Sequence, residues 1–195
     1  MTALLMIRHG PTAWNAEGRI QGRADIPLSD AGREQVARLR VPAEFQGWAW
    51  VSSPAARARE TAMILSGRAP LVEASLSEMD WGAFEGETLA ALRARLGPEM
   101  AEREAAGLDF RPPGGESPRD VQMRLRPWLA LIAKAGRPTI AVSHKGVIRA
   151  LYAEARDWPM IGKAPDRLRW DHAHLFSIAP TGRVSLARLN IRLMA

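Results

Sequence analysis

The chain has 195 residues, of which 47% are hydrophobic and 25% charged, and it contains no cysteine. That length suits a single domain over residues 1–195, able to bury about 70% of its unfolded surface; a near-average composition excludes disordered, collagen-like and coiled-coil chains, and the missing thiols exclude disulfides, thiolate metal sites and cysteine nucleophiles. The net charge of +6 is carried by arginine, since Lys134, Lys145 and Lys163 are the only lysines among 27 basic residues, and the two signs are interspersed, as in residues 33–40, which argues against a nucleic-acid partner and for a small anionic substrate.

Strand and helix patterns alternate along the chain, the signature of an α/β fold with a mainly parallel central sheet flanked by helices. Residues 1–7 (MTALLMI) lack the basic start and long apolar run of a signal peptide. No segment reaches the roughly 20 apolar residues of a membrane span, so a soluble, cytoplasmic protein without a membrane partner is expected. ALLMIR at 3–8 reads as a buried strand that runs into His9-Gly10. A turn-rich loop precedes a helix over about 30–40 capped by Ser29, and WAWVS at 48–52 reads as the second strand. Ser53-Pro54 predicts an N-cap and first helical residue for a helix to about 65. Residues 71–74 fit a short strand. The charged stretch 86–113, broken at Gly97-Pro98, reads as a small helical excursion over the sheet edge, a candidate substrate lid. Ser117-Pro118 opens a helix whose Val121, Leu125, Trp128 and Ile132 share one apolar face. PTIAV at 138–142 is a strand leading through Ser143-His144 into a helix over 146–155. Residues 170–178 and 183–189, around a Pro-Thr-Gly turn, read as a hairpin or paired closing strands.

Three strand-to-helix junctions carry the chemistry. The first ends in Arg8-His9-Gly10, the second leads to Arg57 in an opening helical turn, and the third ends in Ser143-His144. The carboxyl ends of parallel strands share one edge, where ligands bind. Two imidazoles, two guanidiniums and helix amino termini gathered there suit a phosphoryl group. Neutral imidazole can attack phosphorus and form a covalent intermediate. No metal-ligand set is evident, and neither metal nor cofactor is expected. His172 and His174 share a strand face but have no third ligand nearby, so a structural role fits them; Trp14, Trp81 and Trp128 read as packing residues.

LLMIRHGPTAWN at 4–15 resembles the signature of the histidine phosphatase superfamily, the phosphoglycerate-mutase-like proteins. GRADIPLSDAGREQ at 22–35, SSPAARARETA at 52–62, LSEMDWGAFEG at 76–86, GGES at 114–117 and VSHKGVIRAL at 142–151 match the family's segments in order. The resemblance implies that His9 becomes phosphohistidine and that Arg8, Arg57 and His144 hold the transferred phosphoryl group. It makes Glu78 the proton donor, with Asp80, two residues on, as its competitor. Asn15 is implied as a supporting phosphate contact, and Gln21 and Arg23 as substrate contacts; Glu85, read on its own, orients a loop or basic partner rather than reacting. One departure stands beside His144: the family commonly has a small residue there, and this chain has Lys145, whose ammonium either reaches solvent or adds a cation at the pocket rim. Family mutases carry an insertion enclosing a bisphosphate, whereas only 27 residues separate Gly86 from Gly114. A phosphomonoesterase acting on a small phosphorylated substrate is therefore expected ahead of a cofactor-dependent phosphoglycerate mutase, and ahead of a catalytically silent phosphate-binding module. The oligomeric state is left open, a homodimer included.

Overall fold

A computed structural model describes residues 1–194. In chain order the elements are β1 (Thr2–Arg8), α1 (Ala13–Ala16), α2 (Asp30–Ala37), β2 (Ala49–Ser52), α3 (Ala56–Ser66), β3 (Leu71–Val72), α4 (Leu89–Leu96), α5 (Pro98–Ala105), α6 (Pro118–Ala135), β4 (Thr139–Ser143), α7 (Lys145–Ala155), β5 (His172–Ile178) and β6 (Val184–Arg192). One six-stranded sheet has the order β3-β2-β4-β1-β5-β6. The first four of these run parallel, while β5 is antiparallel to β1 and β6 to β5. The fold is thus a mixed, mostly parallel α/β sheet flanked by helices.

Strand alternation explains the layering. Successive side chains of a strand face opposite sides, and β1 divides accordingly. Leu4 and Met6 join a core with Val121, Leu125, Leu129, Ile148 and Leu151 from α6 and α7. Leu5 and Ile7 face the other way, onto Ala58 and Ala62 of α3 and Ile191 of β6. The central position of β1, with helices on both faces, is why its sequence reads as an unbroken apolar run.

Capping residues account for most helix starts. Ser29 accepts the Gly32 N–H at the start of α2, and Ser117 forms a reciprocal capping box with Asp120 at the start of α6. The second helix start differs from its prediction. α3 begins at Ala56 behind Ala55, which offers no side-chain cap, so Ser53-Pro54 is not the helix N-terminus. Ser53 is fully buried instead and serves the site described below.

The excursion over 86–113 folds as α4 and α5, separated at Gly97 with Pro98 opening the second helix. Leu92 and Met100 close a small core with Phe84, against which Ile20, Trp81 and Phe110 pack. Backbone bonds from Ile20 to Glu87 and from Gly86 back to Ile20 tie it to the loop after α1. Among the described residues no helix is long and apolar enough to cross a membrane.

Candidate active site

The sheet order places the carboxyl ends of β1, β4 and β2 side by side. The His9 N–H donates to the Ser143 carbonyl at 2.9 Å, and the Ser53 N–H to the Val142 carbonyl at 3.0 Å, so the three junctions are laced together before any side chain is considered. The rings of His9 and His144 stand 5.1 Å apart between centroids. Arg57, the second residue of α3, is only 1% exposed, and Glu78 joins the group at 6%.

His9 is held in one tautomer. Its Nδ1 lies 2.7 Å from the Gly10 carbonyl, which can only accept, so the proton sits on Nδ1 and the lone pair on Nε2. Burial, reinforced by the positive charges of Arg8 and Arg57, lowers its pKa to about 3. The ring is neutral near pH 7 and free to act as a nucleophile.

His144 caps α7 through its backbone and is completely buried. Its Nε2 lies 2.7 Å from the Ser53 hydroxyl. That hydroxyl also accepts the Ala55 N–H at 3.3 Å and keeps its own hydrogen available to Nε2, an arrangement that would put the imidazole proton on Nδ1. His144 Nδ1, Arg8 Nε and Arg57 Nε are buried with no hydrogen-bond partner within the protein. Buried donors without partners are costly, and three beside His9 form a set suited to an anion's oxygens.

Glu78 is the group whose environment disfavours charge. Burial raises its pKa above the ordinary carboxyl value, although it accepts the N–H groups of Met79 at 2.7 Å and Gly146 at 3.1 Å. A carboxyl kept toward its protonated form among basic groups is poised to donate a proton. Its competitor is committed elsewhere: Asp80 Oδ1 accepts the Gly82 N–H at 2.8 Å, closing a turn.

A supporting shell holds these groups. Arg57 donates to the carbonyls of Ala24 at 2.8 Å and Gly22 at 2.9 Å. The Glu85 carboxylate gathers the backbone N–H groups of Gly22, Arg23 and Ala24, so it orients the loop that orients Arg57. Arg124 on α6 donates to the carbonyls of Ser75, Ser77 and Glu78 and to the Glu116 carboxylate, pinning the segment that carries the proton donor candidate. Glu116 also accepts the Asp80 N–H at 3.0 Å and the Arg23 guanidinium at 3.2 Å.

The remaining sequence-predicted residues are dispersed around this cluster. Asn15 is half-buried, and its Oδ1 completes a capping box by accepting the Thr12 N–H. Gln21 is 8% exposed; its carbonyl oxygen accepts the Thr12 hydroxyl at 2.9 Å, so it braces the loop. Arg23 is exposed and paired with Glu116. Lys145 is exposed, its Nζ 5.3 Å from the centre of the Trp170 ring. His172 and His174 lie buried in β5, with Asp171 2.9 Å from the former and the Asn190 N–H bonded to the latter. Ser53, Arg124 and Glu116 are neighbours of the site that sequence reasoning did not single out; Ser53 and Glu116 stand inside the SSPAARARETA and GGES segments, whereas Arg124 carried no signal.

A cleft of about 800 Å3 opens at Arg8, His9 and Asn15 and extends past Gln35 to Trp170 and Arg192. No residue of 86–113 lines it, nor do Arg57, Glu78 and His144. The cleft meets the buried cluster at Arg8 and His9.

Comparison with known proteins identifies the family. The family model of the histidine phosphatase superfamily (branch 1) matches residues 4–191. The chain is 38% identical over 180 residues to glucosyl-3-phosphoglycerate phosphatase of Mycolicibacterium vanbaalenii, covering 82% of this chain and 78% of that one. It is 32% identical over 165 residues to 2,3-bisphosphoglycerate-dependent phosphoglycerate mutase 2 of Gloeobacter violaceus, covering 79% and 75%. The structure of a mycobacterial glucosyl-3-phosphoglycerate phosphatase in complex with VO3 superposes with a TM-score of 0.78 at 32% identity, over 98% of this chain and 100% of the other. The chain belongs to the histidine phosphatase superfamily.

Proposed function

We propose that the protein is a cytoplasmic phosphomonoesterase that hydrolyses a small phosphate ester in two steps through phosphohistidine at His9, with no metal, cofactor or nucleic-acid partner. In the first step Nε2 of His9 attacks phosphorus, the ester P–O bond breaks, and Glu78 gives its proton to the departing alcohol oxygen. In the second, water attacks the phosphohistidine, Glu78 takes the water proton, and the P–N bond breaks to release inorganic phosphate. Arg8, Arg57 and the Nδ1–H of His144 hold the phosphoryl oxygens and stabilise charge as it develops, with Asn15 beside them. The observation that carries this reading is the fixed tautomer of His9, which directs an unprotonated Nε2 into a group of buried basic donors.

The likeness to glucosyl-3-phosphoglycerate phosphatases supports hydrolysis ahead of isomerisation. So does the modest excursion between Gly86 and Gly114, which closes on its own core. Incubation with 3-phosphoglycerate and 2,3-bisphosphoglycerate decides between them. Release of inorganic phosphate with little 2-phosphoglycerate is expected; rapid isomer exchange with little free phosphate would make the protein a mutase.

A further inference from the structure

Two groups that must act on one substrate are carried by different stretches of chain. Arg57 is steadied by its bonds to the carbonyls of Gly22 and Ala24, while Glu78 sits on the loop that runs from Ser75 to Asp80. Glu116 touches both loops. Its Oε2 accepts the Asp80 N–H at 3.0 Å and the Arg23 guanidinium at 3.2 Å, and its own N–H donates to the Asp80 carbonyl at 2.9 Å. Close backbone approach fixes this seat. A Cβ on Gly115 would collide with the Asp80 carbonyl oxygen, so the segment before Glu116 reaches the acid-bearing loop only as glycine.

Arg124 answers Glu116 from the same helix. Glu116 directly precedes Ser117, the N-cap of α6, and Arg124 lies within α6, so one rigid element presents both. Arg124 Nε donates to Glu116 Oε1 at 3.0 Å and Nη2 to Oε2 at 3.3 Å. Nη1 takes the Ser75 carbonyl, and Nη2 also takes the carbonyls of Ser77 at 2.7 Å and Glu78 at 3.2 Å. Every guanidinium nitrogen is thus engaged within the protein. Arg8 and Arg57 differ, because their Nε atoms are buried without a partner. Arg124 is therefore no ligand for the phosphoryl group; it grips the backbone that carries the proton donor. The two side chains are only 19% and 22% exposed, and a desolvated charge depends on its counter-ion.

We propose that Glu116, acting with Arg124, is a positioning residue that sets the reach of Glu78 toward the leaving oxygen, measured against the loop that steadies Arg57. A general acid must lie within hydrogen-bond distance of the atom it protonates, and small displacements of a catalytic group cost large factors in rate. A glutamine at 116 keeps the size of the side chain but turns one acceptor oxygen into a donor, facing groups that themselves donate. The acid-bearing loop would shift, while His9, Arg8 and His144, which Glu116 does not touch, would keep their places.

This inference rests on the phosphatase reading, and its test separates the two. Phenyl phosphate and p-nitrophenyl phosphate have nearly the same shape, but phenolate is the more basic leaving group and gains far more from a proton. Single-turnover formation of the His9 adduct is measured with both. Glu116→Gln should slow the reaction of phenyl phosphate by about tenfold or more, and that of p-nitrophenyl phosphate by no more than about threefold. Arg124→Lys keeps the charge without the planar fork and should give the same pattern, which serves also if Glu116→Gln fails to fold. Added to Glu78→Gln, either substitution should cost phenyl phosphate almost nothing further, since both act through one carboxyl. A role confined to stability would lower the melting temperature, slow both esters alike and add to the loss from Glu78→Gln; equal losses or additivity would overturn the proposal. So would an undiminished rate with phenyl phosphate in both variants, or a wild-type enzyme that accepts p-nitrophenyl phosphate alone, since it would then have no working acid to position. A wild-type enzyme that forms an adduct with neither ester would take down the phosphatase reading and this inference with it.

Discussion

In the proposed mechanism Glu78 donates a proton and then recovers one in surroundings that oppose its charge. An alkyl alkoxide leaves poorly unless protonated as the P–O bond breaks, whereas a nitrophenolate needs almost no help. Positioned general acids contribute typically 10²–10⁴-fold where the proton is needed. Glu78→Gln should therefore slow phosphorylation of His9 by an alkyl phosphate by about that factor, and by p-nitrophenyl phosphate much less, in single-turnover measurements of adduct formation. Asp80→Asn, which touches only the turn at Gly82, should show no such dependence on the leaving group; the reverse pattern would make Asp80 the acid. The pH profile follows from the same environments. His9 must be unprotonated, which holds above about pH 3. Glu78 must be protonated, and burial extends that condition above the ordinary carboxyl range. The rate of phosphorylation should rise through the first value and fall through the second, and the falling limb of Glu78 should vanish in Glu78→Gln with the same substrate. His9, Arg8, Arg57, Glu78 and His144 were legible in the sequence because each stands in a motif next to a strand end or turn. Ser53 was not, since its partner His144 lies 91 residues away and its local Ser-Pro context reads as a helix cap.

Between elements, the tightest coupling is the seat of Glu78 against the first turn of α7. Gly146 presents its N–H to Glu78 Oε2, and a Cβ at that position would collide with Glu78 Oε1. The obstacle is the end of a flexible side chain, not backbone, so the carboxyl would move while the helix stayed. Alanine in place of glycine also favours a helix by roughly 1 kcal/mol. Gly146→Ala is thus expected to keep or slightly raise the melting temperature while losing alkyl-phosphatase activity on the scale of Glu78→Gln. A variant that melts early, or one that keeps full activity, would show that Glu78 is not seated there. Arg124 makes the complementary contact from α6, reaching the Ser77 carbonyl 47 residues earlier in the chain. Pairings of that range come from the packing of α6 against the loop, and an amphipathic pattern does not encode them.

In the whole molecule, the alternation of strand and helix patterns was enough to give the α/β class and the shared edge of strand ends. The antiparallel setting of β5 beside β1 followed only from tertiary pairing. Burying titratable rings at that edge ties stability to pH. His9 and His144 have lowered pKa values in the fold, against about 6.5 when unfolded. Above that value they impose nothing; below it the unfolded chain binds protons that the folded one refuses, so stability falls as pH drops from about 6.5 toward 3. Urea midpoints should decrease between pH 7 and pH 5, and less steeply in His9→Asn; an identical slope would mean that His9 titrates in the fold as it does in the open chain. The central claim, that the phosphoryl group passes through His9, is tested most directly by rapid acid-free quenching of the enzyme with labelled substrate. The expected result is an acid-labile, base-stable adduct that maps to His9, forms in the presence of EDTA, and is absent from an inactive His9→Ala variant. Full activity in His9→Ala, or activity abolished by EDTA and restored by Mg²⁺, would contradict the account.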